Sequence, residues 1–145
     1  MKSLRKDRIL IAEDDEFSGS LLQSALRASG PEVFLVQNGL DALNLIDQSP
    51  LDVLITDIDM PVKDGVTLIK EIRRKEALQN APQPLPIIAI SGGGDDELSS
   101  AVRAGATYAI AKPIDMKLIN WLVNFLGGRR RDKSVPAKAV APGLL

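Results

Sequence analysis

Acidic residues crowd into the segment DIDMPVKDG, residues 57–65, which directly follows the apolar run VLIT. Other short apolar runs are also followed by polar residues, namely Glu13, Asp14, Ser91 and Lys112. Carboxylates that lie close together repel one another at neutral pH, so they need either raised pKa values or a bound cation. Oxygen ligands without histidine or cysteine suit Mg²⁺. These residue types therefore indicate a magnesium site.

The same residue types favour phosphoryl chemistry. A carboxylate beside Mg²⁺ can attack a phosphoryl group and form an aspartyl phosphate. The incoming phosphoryl oxygens need positive and hydrogen-bonding partners, which the Lys112 ammonium and the Ser91 hydroxyl can supply. The chain has no histidine and no cysteine, which excludes imidazole catalysis, thiolate metal sites and disulfides. We therefore predict phosphoryl transfer onto an aspartate.

These residues can meet only if the intervening chain brings the ends of the apolar runs together. The runs have the length and composition of strands buried on both faces, and they occupy residues 9–12, 33–36, 53–56, 87–90 and 108–111. A segment with helical periodicity follows each run, so strand and helix alternate five times. Such crossovers predict a parallel sheet with helices on both faces. The carboxyl ends of all strands then share one edge, where the polar residues converge.

Several polar residues are placed to begin these helices. The candidate N-terminal caps are Asp15, Asn38, Asp64, Asp95 and Asp115. Gly30 and Pro31 are expected to end the first helix. The proline-rich segment 77–86 is expected to form a loop before the fourth strand.

Length and composition predict one globular domain over residues 1–128 and a basic, disordered tail over residues 129–145. Five of the 18 basic residues but only one of the 19 acidic residues lie in the tail, which leaves 13 basic and 18 acidic residues in the domain. An acidic domain is a poor electrostatic match for nucleic acid. The sequence shows no signal peptide and no membrane span, so we expect a cytoplasmic protein without a membrane partner.

Four motifs resemble the receiver domain of bacterial two-component response regulators, of the chemotaxis-regulator type. They are ILIAEDD, DVLITDIDMPVKDG, IIAISG and AGATYAIAKPID, and the resemblance extends from residue 7 to about residue 126. It implies a flavodoxin-like (βα)5 fold, in which a doubly wound five-stranded parallel sheet has the strand order 2-1-3-4-5. It also implies a cis peptide bond between Lys112 and Pro113.

The resemblance implies a role for each acidic residue at the sheet edge. Asp57 is expected to be the phosphoacceptor and a metal ligand. Asp14 is expected to bind Mg²⁺ directly, and Glu13 mainly through metal-bound water. Asp59 is expected to offer its backbone carbonyl to the metal. Asp64 is expected to cap the third helix instead, because an aspartate before Gly65 and Val66 suits that role.

The resemblance also assigns the residues that respond to phosphorylation. Ser91 stands where the family has its switch threonine or serine, and Lys112 where it has its lysine. Ala109 occupies the position where the family usually has tyrosine or phenylalanine, and Tyr108 lies one place earlier. The glycine triplet 92–94 is expected to make the loop after the fourth strand pliable.

A signalling domain of this kind is expected to take its phosphoryl group from a sensor histidine kinase or a histidine phosphotransfer protein. It is expected to act on a downstream protein target through the face formed by the fourth helix, fifth strand and fifth helix, which would include Trp121, as a monomer or a phosphorylation-dependent dimer. It is also expected to assist its own phosphorylation and dephosphorylation without being an enzyme that turns over a substrate.

Two other functions are compatible with parts of the pattern. A Mg²⁺-dependent phosphohydrolase of the haloacid dehalogenase type also has an Asp-x-Asp motif after a buried strand, as in ITDID. There, however, the motif lies near the N-terminus, whereas here Glu13 and Asp14 precede it, and Pro61 and Gly65 complete the receiver pattern. A degenerate receiver that serves only as an interaction module is the third interpretation, although the acceptor, the acids, the hydroxyl and the lysine are all present.

Overall fold

The computed structural model describes residues 6–131, which form five strands and five helices in strict alternation. Strands β1 to β5 span Arg8–Ala12, Glu32–Val36, Val53–Asp57, Ile87–Ser91 and Tyr108–Ala111. Helices α1 to α5 span Glu16–Arg27, Gly39–Gln48, Gly65–Leu78, Asp95–Ala104 and Met116–Arg131. The strands are all parallel and lie in the order β2-β1-β3-β4-β5. The predicted fold class and strand order are therefore confirmed.

Alternate residues along each strand face opposite sides of the sheet. In β3, Leu54 packs in the core layer that α2, α3 and α4 cover. Its neighbours Val53 and Ile55 pack in the layer beneath α1 and α5. Because helices cover both faces, the strands are continuously apolar rather than alternating.

The register of the sheet aligns the ends of the central strands. Asp57 of β3 is paired with Ile90 of β4. The ladder continues beyond the strands, because Ile58 N–H donates to the Ile90 carbonyl at 3.1 Å and Lys112 N–H donates to the Ser91 carbonyl at 2.7 Å. These main-chain bonds fix the residues that follow the strands along a single edge.

Four of the five predicted helix caps are confirmed, because their side chains accept hydrogen bonds from backbone N–H groups in the first turn. They are Asp15, Asn38, Asp64 and Asp115. The prediction for Asp95 is wrong. Gly94 is the N-terminal cap of α4, with φ 94° and no side-chain hydrogen bond, so Asp95 is already helical. Asp95 then favours the helix through its charge near the positive end of the helix dipole.

Two helices extend further than the sequence predicts. Helix α3 continues to Leu78, so the loop before β4 begins at residue 79 rather than 77. Helix α5 continues to Arg131, beyond the boundary predicted after residue 128, although glycine weakens a helix. Residues 132–145, which hold most of the predicted tail, lie outside the described residues. Within residues 6–131, no helix has the length and apolar composition required to cross a membrane.

The loop between β3 and α3 contains a strained residue. Val62 has a backbone φ of 66°, a conformation that β-branched residues rarely adopt. Val62 is 77% exposed, so replacing its side chain removes few packing contacts with the rest of the protein. We expect Val62→Asn to raise the free energy of unfolding by about 1 kcal/mol, because asparagine tolerates this conformation, as Asn80 does at φ 50°. Urea denaturation of the two proteins measures the difference.

Leu78→Asn provides the matched control for this comparison. Leu78 is 74% exposed at the end of α3 and is not among the residues with positive φ. The same loss of an exposed apolar side chain should therefore give no gain in stability. A Val62→Asn protein no more stable than the wild type would show that Val62 is not strained.

Candidate functional site

Three carboxylates converge at the carboxyl edge of the sheet. Oxygens of Glu13, Asp14 and Asp57 all lie within 4.8 Å of one another. Glu13 and Asp57 are each only 6% exposed, while Asp14 is exposed. Two buried carboxylates and one exposed carboxylate provide an all-oxygen donor set, which fits a hard divalent cation such as Mg²⁺. The structure thus brings together the three predicted metal-binding side chains.

Lys112 supplies the positive charge of the site. Its Nζ lies 3.2 Å from Asp57 Oδ2 and 3.5 Å from Glu13 Oε2. Burial lowers the pKa of Lys112, but hydrogen bonding and attraction to Asp57 and Glu13 outweigh it, so the pKa is raised above its ordinary value. One ammonium cannot neutralise three carboxylates, and the remaining negative charge also favours a bound cation.

Glu13 is the most strongly perturbed acid of the site. The pKa of Glu13 is raised to about 7, mainly by burial. The Asp15 N–H and Lys112 lower this pKa, whereas the neighbouring Asp57 raises it. The Asp15 N–H donates to Glu13 Oε1 at 3.0 Å and fixes the carboxyl orientation. Without a metal ion, this carboxyl group therefore keeps its proton to a higher pH than an ordinary glutamate does, which relieves part of the repulsion within the cluster.

The loop after β3 holds Asp57 in place. Asp57 Oδ1 accepts a hydrogen bond from the Ile58 N–H at 2.9 Å, and the Gly65 N–H donates to the Ile58 carbonyl at 2.8 Å. A β-carbon at residue 65 would lie 2.8 Å from Ile58 Cα and closer still to the Asp57 carbonyl oxygen. Only glycine permits this approach, which explains why the segment DIDMPVKDG ends in Gly65.

The other aspartates of this segment are placed differently. Asp59 is exposed in the loop, and its side chain lies outside the cluster of acids found among residues 6–131. The role predicted for its backbone carbonyl stays a prediction. Asp64 caps α3 by accepting from the Thr67 N–H at 2.8 Å.

Ser91 is buried at the end of β4, with 1% exposure. Its hydroxyl accepts a hydrogen bond from the Gly93 N–H at 2.9 Å and donates to Glu97 Oε1. Sequence reasoning missed Glu97, which lies in the first turn of α4. The available signal was an acid six residues after the predicted switch serine, separated from it by three glycines and two further acids.

Tyr108 does not replace the aromatic side chain that the sequence lacks at position 109. Ala109 packs in the layer covered by α2, α3 and α4, whereas Tyr108 is buried in the layer beneath α1 and α5. Neighbouring strand residues point to opposite faces. Tyr108 therefore lies on the wrong face to act at the position of Ala109.

One exposed aromatic pair lies outside this site. Trp121 is 55% exposed on α5 and stacks on Phe125 with ring centroids 5.1 Å apart.

The predicted cis peptide bond between Lys112 and Pro113 is confirmed.

The acidic cluster predicts stabilisation by Mg²⁺ that depends on Asp14. We expect millimolar Mg²⁺ to raise the melting temperature of the wild type by about 3 °C for each kcal/mol of binding free energy gained. Asp14→Asn removes one charged ligand and should abolish most of that shift. Scanning calorimetry with Mg²⁺ or with chelator measures it.

Asp59→Asn is the control for the metal experiment. It removes an exposed carboxylate of the adjoining loop but keeps the backbone carbonyl, so the Mg²⁺ shift should persist. Equal shifts in the wild type and Asp14→Asn would contradict the assignment of Asp14 as a ligand.

Comparisons with known proteins point to one family. The family model described as "Response regulator receiver domain" matches residues 9–124. The polar-differentiation response regulator DivK of Brucella anthropi is 31% identical over 121 residues, which cover 82% of this chain and 95% of DivK. The hybrid signal transduction histidine kinase G of Dictyostelium discoideum is 31% identical over 128 residues. The chain spans only 4% of that kinase, and 13% of the sensor histidine kinase GacS of Pseudomonas protegens.

Solved structures agree with these relatives. A putative response regulator from Chloroflexus aurantiacus J-10-fl superposes with a TM-score of 0.77 at 30% identity. The superposition covers 86% of this chain and 100% of the other chain. The receiver domain of the sensor histidine kinase PA1611 from Pseudomonas aeruginosa PAO1 superposes with a TM-score of 0.75 at 26% identity, covering 85% and 98% of the two chains. That structure has a magnesium ion coordinated in its active-site cleft.

Proposed function

The chain belongs to the response regulator receiver domain family, and from this premise we propose that it accepts a phosphoryl group on Asp57 in a Mg²⁺-dependent reaction. The observation that carries the proposal is the buried Asp57 carboxylate, which lies within 4.8 Å of two further acids and 3.2 Å from the Lys112 ammonium. This arrangement places a nucleophile beside both a cation-binding cluster and a fixed positive charge.

In the proposed step, an oxygen of the Asp57 carboxylate forms a bond to phosphorus. The bond between phosphorus and the donor atom breaks, and its electron pair leaves with the donor. Lys112 stays near Asp57 and balances the charge of the phosphoryl oxygens, while the Ser91 hydroxyl donates to one of them. The Ile58 N–H, bonded to Asp57 Oδ1 at 2.9 Å, orients the carboxylate.

The proposed metal is held by the residues of the acidic edge. Asp14 and Asp57 would bind it directly, Asp59 through its backbone carbonyl, and Glu13 mainly through metal-bound water. When bound, Mg²⁺ neutralises charge on the carboxylates and the phosphoryl oxygens. The all-oxygen donor set and the uncompensated negative charge of the cluster support this choice of metal.

The proposed phosphodonor is a phosphohistidine that lies outside residues 1–145, since these residues include no histidine. A sensor histidine kinase or a histidine phosphotransfer protein would supply it, and two relatives are themselves named as histidine kinases. The proposed output is a change at the face of α4, β5 and α5, where Trp121 is exposed, which would contact a downstream protein or a second copy of the chain.

The decisive experiment separates acceptance from turnover. The protein is incubated with Mg²⁺ and acetyl phosphate, and intact mass is followed together with phosphate release from a generic phosphomonoester. We expect one phosphoryl group per chain, dependent on Mg²⁺, and no sustained release of phosphate from the monoester. Sustained release would instead identify a phosphohydrolase, and absence of modification would leave an interaction module.

A further inference from the structure

The Ser91 hydroxyl makes two hydrogen bonds, one as acceptor and one as donor. It accepts from the Gly93 N–H at 2.9 Å and donates its proton to Glu97 Oε1. A serine hydroxyl has a single proton to donate. While Glu97 accepts this proton, Ser91 cannot donate it to a phosphoryl oxygen on Asp57, so the hydrogen bond to Glu97 and the hydrogen bond to the phosphoryl group exclude each other.

The glycines after Ser91 make the Glu97 contact possible. A β-carbon at residue 93 would collide with the Glu97 carboxylate where it now lies, so a side chain at residue 93 would force this carboxylate to shift from its contact with Ser91. Gly94 has φ 94° and turns the chain directly into α4, which places Glu97 in the first helical turn. The glycine triplet is therefore more than a pliable linker, because it admits a contact between α4 and the end of β4.

Resting on the proposed phosphorylation of Asp57, we propose that Glu97 is a positioning residue that holds the Ser91 hydroxyl in the unphosphorylated protein. A phosphoryl group adds negative charge to the sheet edge, which repels the Glu97 carboxylate and competes for the Ser91 proton. Glu97 is only partly buried, so its side chain can turn toward solvent when Ser91 turns toward the phosphoryl group. Phosphorylation of Asp57 thereby releases the first turn of α4 from β4.

The contact opposes phosphorylation, because it must break before Ser91 can assist. A hydrogen bond to a charged group is stronger than one between neutral groups. Removing it should therefore favour the phosphorylated arrangement. We expect Glu97→Ala to raise the rate of phosphoryl acceptance from acetyl phosphate about tenfold. Glu97→Gln keeps a hydrogen-bond acceptor without the charge, so its rate should lie between those of Glu97→Ala and the wild type.

Two comparisons separate this role from a general effect of helix charge. Asp96→Ala removes an exposed acid from the same turn of α4 and should leave the rate unchanged. In a Ser91→Ala background, Glu97→Ala should have no further effect, because there is no hydroxyl left to hold. A merely structural role of Glu97 would instead give the same change in both backgrounds.

A second measurement uses the unphosphorylated protein alone. If Glu97 ties α4 to β4, then Glu97→Ala should accelerate amide hydrogen exchange at Leu98, whose N–H donates to the Gly94 carbonyl at 3.2 Å. We expect exchange about tenfold faster than in Asp96→Ala. Unchanged exchange would show that the contact does not restrain the helix, and would overturn the inference.

The outcomes distinguish the inference from the function on which it rests. If the wild type acquires no phosphoryl group, the proposed function fails and the inference fails with it. If the wild type is modified and Glu97→Ala reacts at the same rate, the inference alone is overturned. An accelerated rate that requires Ser91, together with faster exchange at Leu98, supports it.

Discussion

Asp57→Asn is expected to eliminate phosphoryl acceptance, with a loss of more than about 100-fold in rate. The amide oxygen of asparagine lacks the charge that makes the carboxylate a nucleophile. The side chains have nearly the same shape, so the Ile58 N–H can still donate to the oxygen at position 57, as it does to Asp57 Oδ1 at 2.9 Å. The loss should therefore be chemical rather than structural. Intact-mass spectrometry with Mg²⁺ and acetyl phosphate measures it.

The other aspartates of the segment DIDMPVKDG provide matched controls. Asp59→Asn changes an exposed side chain outside the carboxylate cluster. Asp64→Asn changes the cap of α3, where asparagine serves about as well as aspartate. Both variants should become modified as the wild type does. Persistent modification of Asp57→Asn would assign the phosphoryl group to another residue and refute this mechanism.

Removing the Asp57 charge should also be visible at Glu13. The charge of Asp57 raises the pKa of Glu13, in addition to the larger effect of burial. In Asp57→Asn the pKa of Glu13 should therefore fall below about 7 but stay above its ordinary value, because burial remains. An NMR titration of the metal-free proteins, following the Glu13 carboxyl carbon, tests this expectation. An unchanged pKa would mean that the two carboxyl groups do not interact.

The fold could be predicted because each local signal agreed with the same architecture. Runs such as VLIT are apolar at every position, which requires cover on both faces of a sheet, and Leu54 and Ile55 do lie in opposite layers. Asn38 and Asp64 mark helix starts through local hydrogen bonds, which depend on few residues. Strand order had no such local signal and came from the resemblance to receiver domains.

The residues that form the site could be predicted from the sequence, but the contacts between them could not. Parallel strands share an edge, so residues at the carboxyl ends of β1, β3 and β5 had to converge. The distance of 3.5 Å between Lys112 and Glu13 depends on rotamers and main-chain packing that no local pattern specifies. The contact between Ser91 and Glu97 depends on how the chain turns at Gly94. The error at Asp95 has the same origin, since that turn begins the helix one residue early.

Lys112→Met is expected to change two properties of the site in opposite directions. The substitution removes the ammonium whose Nζ now lies 3.2 Å from Asp57 Oδ2. Losing one preorganised charge partner should slow phosphoryl acceptance by about 10²-fold to 10³-fold. The affinity for Mg²⁺ should nevertheless rise about tenfold, because the ammonium and the metal ion repel each other. The solvent exposure of the Lys112 side chain, 35%, keeps this second effect modest.

The opposite signs make the experiment informative, since a misfolded site would lose both properties. Calorimetric titration with Mg²⁺ and the time course of intact mass measure them on the same sample. Lys117→Met makes the same substitution at an exposed lysine in the first turn of α5 and should change neither. A Lys112→Met protein that binds Mg²⁺ more weakly would contradict the charge competition inferred from the geometry. One that is phosphorylated at the wild-type rate would show that Lys112 pairs with Asp57 without assisting the reaction.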